Sequence, residues 1–161
     1  MTDVRAADRI RPDSSLPRRI GLVGCVKEKA RSPRPARDLY ISDLFRGRRA
    51  YVERSCNEWW ILSAKYGLVH PDEMLAPYDE TLKKAGRAFR RHWSMEVLAA
   101  VVERVAPVAG DSFEIHAGAE YRDYGLVQGL TERGFPVEIP TEGMVFGVQL
   151  QFYKRARMQL R

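Results

Sequence analysis

Four short apolar runs punctuate the chain: RIGLVGCV (19–26), EWWILSA (58–64), SFEIHAG (112–118) and PVEIP (136–140). They are rich in β-branched and aromatic residues, the pattern of strands covered on both faces. Between them the apolar positions shift to helical spacing. Residues 36–55 follow Pro33 and Pro35 and carry a rough stripe of Tyr40, Leu44, Tyr51 and Val52, with Gly47 as a point of interruption. From Gly86 to Val105 the stripe is clearer, with Phe89, Trp93, Val97, Val101 and Val105 four apart and Leu98 and Val102 widening the face. A third helix is expected over 119–134, ended by Gly134, and a closing helix spaces Phe146, Leu150, Tyr153, Arg157 and Leu160.

Strands alternating with helices imply βαβ units with right-handed crossovers. The expected architecture is α/β: a single three-layer domain with a mostly parallel sheet of about four strands flanked by helices. Residues 18–161 form that domain. Residues 1–17, with Arg5, Arg9, Arg11, Pro12 and Pro17 but no sustained period, read as a flexible basic arm.

Composition narrows the class. With 161 residues, 45% hydrophobic and 30% charged, one core closes without disulfide or metal staples. No apolar run approaches the roughly 20 residues that span a bilayer, and no apolar signal core stands at the amino terminus, so a cytoplasmic protein is expected. Cys25 and Cys56 read as free thiols. A net charge of +6 favours encounter with polyanions but is also ordinary for a globular protein.

In a parallel sheet, ligands bind beyond the carboxyl ends of the strands, so the residues directly after each run carry the chemistry. Those are Cys25, Lys27 and Lys29; Ser63, Lys65 and Tyr66; His116, Gly118, Glu120 and Tyr121; and Thr141 and Glu142. The lysines, with Arg31, Arg34 and Arg37, suit a phosphate or carboxylate, or are solvated loop charges. Neither GxGxxG nor a P-loop is present, which argues against a standard dinucleotide site and against P-loop hydrolysis. Cys25 is a nucleophile if its neighbours favour the thiolate, and otherwise a packed thiol. In ILSAKYGLV a hydroxyl, an ammonium and a phenol precede Gly67, which permits a tight turn. Tyr66 suits base stacking, Lys65 phosphate neutralisation, and Ser63 orientation of either; an ordinary strand exit is the plainer alternative.

The connection HPDEMLAPYDETL (70–82) is polar and broken by prolines, the kind of segment that closes over a site. Asp79 is its candidate acid, or with Thr81 a helix cap. His116 is either a ligand contact or a satisfied core histidine, and Glu120 either an acid or an electrostatic helix start. His70, His92 and His116 are scattered and the cysteines lie far apart, so no metal pattern is seen and no cofactor is expected.

At these residues a likeness appears. CVKEK, ARDLYISDLF, WWILSAKYGLVHPDEMLAPYDETL, HAGAEYR and PTEGMVFGVQL together resemble the bacterial YaaA-like families, which include small domains of unknown function, over residues 20–153. The first block is more loosely similar to the archaeosine synthase core, onto which Cys25, Lys27 or Lys29, Tyr40 and Ser42 map, while Phe45 stands where that core has a histidine. The resemblance implies a nucleobase or nucleic-acid setting, since YaaA relatives are associated with DNA binding, oxidative stress and base modification.

The expectation is a nucleobase-processing enzyme, a DNA glycosylase-type hydrolase acting on the N-glycosidic bond of a modified base such as a modified pyrimidine. Breaking that bond needs a carboxylate, a donor to the departing base and a stacking platform. Glu120 or Asp79 supplies the carboxylate, Tyr66 and Tyr121 stack or donate, and Lys27, Lys29 and Lys65 meet phosphates, with one lysine available to attack C1′. Leu68, Met74 or Leu75 is the wedge that would extrude a base from duplex DNA. The partner is DNA in preference to RNA, or a nucleotide. The alternatives are a non-catalytic DNA-binding stress protein and an enzyme of free nucleotides or nucleosides.

Overall fold

A computed structural model describes residues 16–159. The basic arm apart from Leu16 and Pro17, and Leu160 of the closing stripe, lie outside the described residues. The four apolar runs form β1 (Arg19–Gly24), β3 (Glu58–Ser63), β6 (Ser112–His116) and β7 (Val137–Glu138), all parallel and adjacent in the order β3-β1-β6-β7. β1 is central, with Leu22 opposite both Trp60 and Ile115. Covered on both faces, its residues from Ile20 onward are buried, which is why the run carries no polar alternation.

A fifth strand was not expected. β4 (Gly67–Val69) folds back antiparallel on β3 through a three-residue turn at Ala64, Lys65 and Tyr66, closed by Gly67 at φ 71°. Glycine reaches that left-handed conformation without steric cost, the usual way to close such a hairpin. The long connection carries β5 (Met74–Leu75), paired with β2 (Arg34–Pro35), and a 3₁₀ turn at Leu82–Lys84 capped by Thr81.

The helices depart from the stripes in instructive ways. Residues 36–55 make two helices, α1 (Ala36–Leu39) and α2 (Asp43–Ser55), because Ser42 turns extended and its hydroxyl accepts the Phe45 amide as an N-cap. Gly47 does not interrupt α2: an added Cβ would lie 2.8 Å from Tyr153 Cβ, so the glycine lets α6 (Phe146–Gln159) approach. In α3 (Arg87–Ala100) and the π turn that extends it to Val105, Trp93, Val97, Val101 and Val105 are buried while Phe89 is 56% exposed. A four-residue repeat drifts by about 40° per step on a 3.6-residue helix, so its first member rotates off the face. The third stripe breaks into α4 (Ala119–Arg122) and α5 (Leu126–Glu132), with Gly125 at φ 134° between them. In α6 Tyr153 is buried and Phe146 is exposed.

Helices cover both sheet faces. α2 packs on β1 where Val52 meets Gly21, and α6 lies against α2; on the other side Trp93 of α3 donates to the Ser63 carbonyl and Leu98 meets Gly129 of α5. The result is the expected α/β domain with a mostly parallel sheet. Among the described residues no helix is long and apolar enough to cross a membrane.

Candidate active site

The strand order creates a crevice. From β1 the chain crosses to β3 on one side, and from β6 to β7 on the other, so connections diverge between the carboxyl ends of β1 and β6. Open parallel sheets bind ligands at such switch points. At the crevice floor the chain leaving β6 passes so close to Gly24 that a Cβ there would fall 2.7 Å from Ala117 Cβ.

Cys25 follows Gly24 into this crevice. It is buried, and its sulfur shares a 3.1 Å hydrogen bond with the Tyr121 hydroxyl. The sulfur bears electrostatically on Lys29, Arg48, Tyr40, Tyr78 and Tyr121. Toward β3 lies a chain of hydroxyls: Ser63 Oγ donates to Tyr78 at 2.7 Å, Tyr78 shares a 2.5 Å bond with Tyr40, and the Tyr66 amide donates to Ser63 Oγ at 3.0 Å. Burial, reinforced by Cys25, pushes the Tyr40, Tyr78 and Tyr121 phenols well above their ordinary value, so all three stay protonated donors.

Lys29 caps this layer. Its ammonium stands 4.3 Å from the Tyr78 ring centre and 5.8 Å from that of Tyr40, its backbone bridges Tyr40, and it donates to the Lys27 carbonyl. Burial lowers its pKa below the usual lysine value, outweighing the opposite pull of Cys25, Asp79 and Glu80. Partial burial thus disfavours the ammonium form of Lys29, the direction a nucleophilic lysine needs, while the ring contacts hold its amine in place.

The other sequence candidates distribute as follows. Lys65 is more exposed, 3.8 Å from Glu80 and 5.4 Å from the Tyr66 ring. Tyr66 is 42% exposed, its ring perpendicular to that of Tyr78. Asp79 is exposed beside Lys29 and caps nothing; Thr81 alone accepts the Lys83 amide. Glu120 turns its carboxylate back over Gly118 and bears on both Arg48 and Tyr121. Both flanks, Lys65 through Tyr66 and Tyr78, and Glu120 through Tyr121, therefore meet at Cys25 on one rim.

Several candidates point elsewhere. His116 is fully buried on the α2–α6 side, 2.7 Å from Glu114 through Nε2 and 2.6 Å from the Tyr153 hydroxyl through Nδ1. Burial lowers its pKa, and although burial alone would raise Glu114, the hydrogen bond and charge of His116 hold that carboxyl below its usual value. The neutral ring thus donates from Nε2 and accepts at Nδ1, a satisfied core histidine rather than a ligand contact. Ser42 is occupied as the α2 cap. Tyr121 is buried with its hydroxyl bonded to Cys25, which leaves it no exposed ring for stacking. Glu142 is exposed, 3.9 Å from Arg122, and Lys27 is exposed. Arg37 pairs with Asp72 and Asp38. Leu68 and Leu75 are core residues, so of the three wedges only Met74, 64% exposed, is free.

Two rim residues escaped the sequence reading. Tyr78 was hidden in the proline-broken connection. Arg48 is only 4% exposed, donates to the Gly24 carbonyl and to Gln149 at 3.3 Å each, and has a buried Nε without partner. Its signal was visible: Arg48 sits midway between Leu44 and Val52, four residues from each, on the buried stripe of α2. Among the described residues no cluster of three or more His, Cys, Asp or Glu could hold a metal ion.

These features define an α/β domain with a phenol-lined thiol and amine at the switch point of its sheet. The chain belongs to a family of unknown function (DUF6884), whose model matches residues 20–155, from β1 into α6. Neither a curated protein nor a solved structure matches it.

Proposed function

We propose that the protein is a nucleobase-processing enzyme that hydrolyses the N-glycosidic bond of a modified base in DNA, with Lys29 as its nucleophile. The observation that carries this reading is the partly desolvated Lys29 amine, seated on the Tyr78 ring above Cys25 and flanked by Asp79 and Glu80. This moves the nucleophilic role from Lys65, the more exposed lysine of the rim. The choice of a nucleobase rests on the resemblance of the CVKEK and HAGAEYR blocks to the YaaA-like families. Tyr66, the partly exposed ring of the rim, supplies the platform on which a base stacks.

The chemistry balances with water alone. The neutral amine forms a bond to C1′ as the C1′–base bond breaks, and the bonding pair leaves with the base, which takes a proton from solvent, while the Glu120 or Asp79 carboxylate stabilises the positive charge developing at C1′. Loss of the amine proton and cleavage of C1′–O4′ give an iminium at C1′, with a proton delivered to O4′. Water then adds to C1′ and returns Lys29 as the amine. The net change is addition of water across the glycosidic bond.

Borohydride reduces the iminium to a stable protein–DNA adduct. Oligonucleotides carrying uracil, oxidised purines, or methylated and hydroxymethylated pyrimidines should, for at least one base, release that base and give a retarded band after reduction. Lys29→Met should abolish the band while the protein stays folded by circular dichroism. No released base and no adduct across the panel would refute the reading. A band that persists in Lys29→Met and vanishes in Lys65→Met would return the nucleophile to Lys65.

A further inference from the structure

A second feature adjoins the rim. Residues 83–91, KKAGRAFRR, place five cations and no acid in the 3₁₀ turn and first turns of α3. The Leu82 backbone at the head of this segment hydrogen-bonds the Tyr121 hydroxyl, the partner of Cys25. Along its flank runs an open groove of about 730 Å³, lined by Arg87, Arg90, Arg91, Met95 and Tyr124 and reaching Glu120 at its inner end.

The arginines differ in their commitments. Arg90 is structural: it donates to the Leu82 and Lys83 carbonyls and to the Tyr124 hydroxyl at 2.8 Å, and lies 5.0 Å from the Tyr124 ring centre, which fixes that ring in the wall. Arg87 and Arg91, four apart on one helix face, have no acidic partner among the described residues. The first turn of α3 holds no acid, and its cap, Gly86, has no side chain to occupy the free amides. Met95, one turn beyond Arg91, leaves its large apolar side chain in solvent within the groove. Of the acids in the opposite wall, Asp123 lies 3.5 Å from Arg122 and Glu120 bears on Arg48.

We infer that this groove binds the sugar–phosphate backbone of a nucleic-acid strand and leads it to the rim at Glu120. Unpaired guanidinium groups one helix turn apart, with the Met95 thioether and the Tyr124 ring lining the same groove, fit a polyanion that also presents flat apolar faces. A free nucleoside offers nothing for Arg87 and Arg91 to hold. The inference rests on the nucleobase reading for what the strand delivers, but strand binding is measured without cleavage, so each can fail alone.

Fluorescence anisotropy with labelled single strands of about 16 nucleotides, as DNA and as RNA of the same sequence, tests it across a salt series. The Arg87→Glu/Arg91→Glu protein should bind at least about tenfold more weakly than wild type, and Arg87→Gln/Arg91→Gln should lower the salt slope by about 1.4, two single-strand phosphate contacts' worth. Lys154→Glu/Arg155→Glu, with the same change in net charge on α6, should lose much less. The DNA and RNA arms decide which strand the groove prefers. Equal losses in the α3 and α6 variants would reduce the effect to net charge and overturn the groove, as would a wild-type protein that binds neither strand. Strong groove-dependent binding with no released base would leave the groove standing and refute the glycosidic reading.

Discussion

Arg48 illustrates what one residue reveals about the site. A guanidinium held 4% exposed, with no carboxylate within salt-bridge distance among the described residues, has lost its water without gaining a counter-charge. Burial accordingly lowers its pKa despite the favourable fields of Tyr153, Cys25 and Glu120. A buried ion held by weak hydrogen bonds contributes little net stability, and apolar replacements of similar volume are often neutral or better. Arg48→Met is therefore expected to change unfolding free energy in urea by no more than about 1 kcal/mol, while sharply reducing the borohydride-trapped adduct. A loss above about 3 kcal/mol with adduct yield intact would make Arg48 a structural residue.

At the level of elements, the contact of α2 with α6 sets two effects against each other at Gly47. Alanine is favoured over glycine inside a helix by about 1 kcal/mol. Yet the new methyl would lie 2.8 Å from Tyr153 Cβ and 3.1 Å from its Cγ, and Tyr153 is anchored by His116. Overpacking against anchored groups costs about 1–3 kcal/mol, so Gly47→Ala should lower the thermal midpoint despite its better propensity. A raised midpoint would mean that α6 shifts freely on α2. The same contact shows which elements the sequence discloses. Buried strands announce themselves as continuous apolar runs, and all four stand where those runs lie, although β7, at the sheet edge, is half-buried at Val137 and exposed at Glu138. The β3–β4 hairpin was half visible, since Gly67 marked a tight turn, but three residues of GLV are too few to display a period. The breaks at Tyr40–Ser42 and Gly125 were missed because apolar spacing continues across them. Of the site, strand-end position located Cys25, Lys29, Ser63, Tyr66, Glu120 and Tyr121. It also drew in His116, whose side chain alternates to the opposite face of β6, as position along a strand cannot show which face a terminal residue takes until the helices above it are placed.

Across the whole molecule, the phenol layer ties stability to pH. Tyr40, Tyr78 and Tyr121 come from three separate segments and close over Cys25, each with its pKa raised above the ordinary 10.0, chiefly by burial. Cys56, half-buried against Gly21 and Ser55, is pushed up to about 12 by the same cause. A raised folded pKa means that the folded chain keeps protons which the unfolded chain releases. The associated stability is complete below the unfolded values, near pH 9 for the thiol and pH 10 for the phenols, and is lost as pH rises toward the folded ones. Each fully titrating phenol removes about 1.4 kcal/mol per pH unit in that window, so three together remove about 4, a large share of a typical domain's 5–15 kcal/mol. Urea midpoints should therefore hold steady from about pH 7 to 9 and fall steeply above about pH 10. Tyr78→Phe removes one of these groups and should shallow the alkaline slope by up to about 1.4 kcal/mol per pH unit, whatever it does to the midpoint at neutral pH. A midpoint indifferent to pH between about 10 and 11 would show the phenols open to water. In that case the partly desolvated setting of Lys29, which shares the same layer, would also be lost.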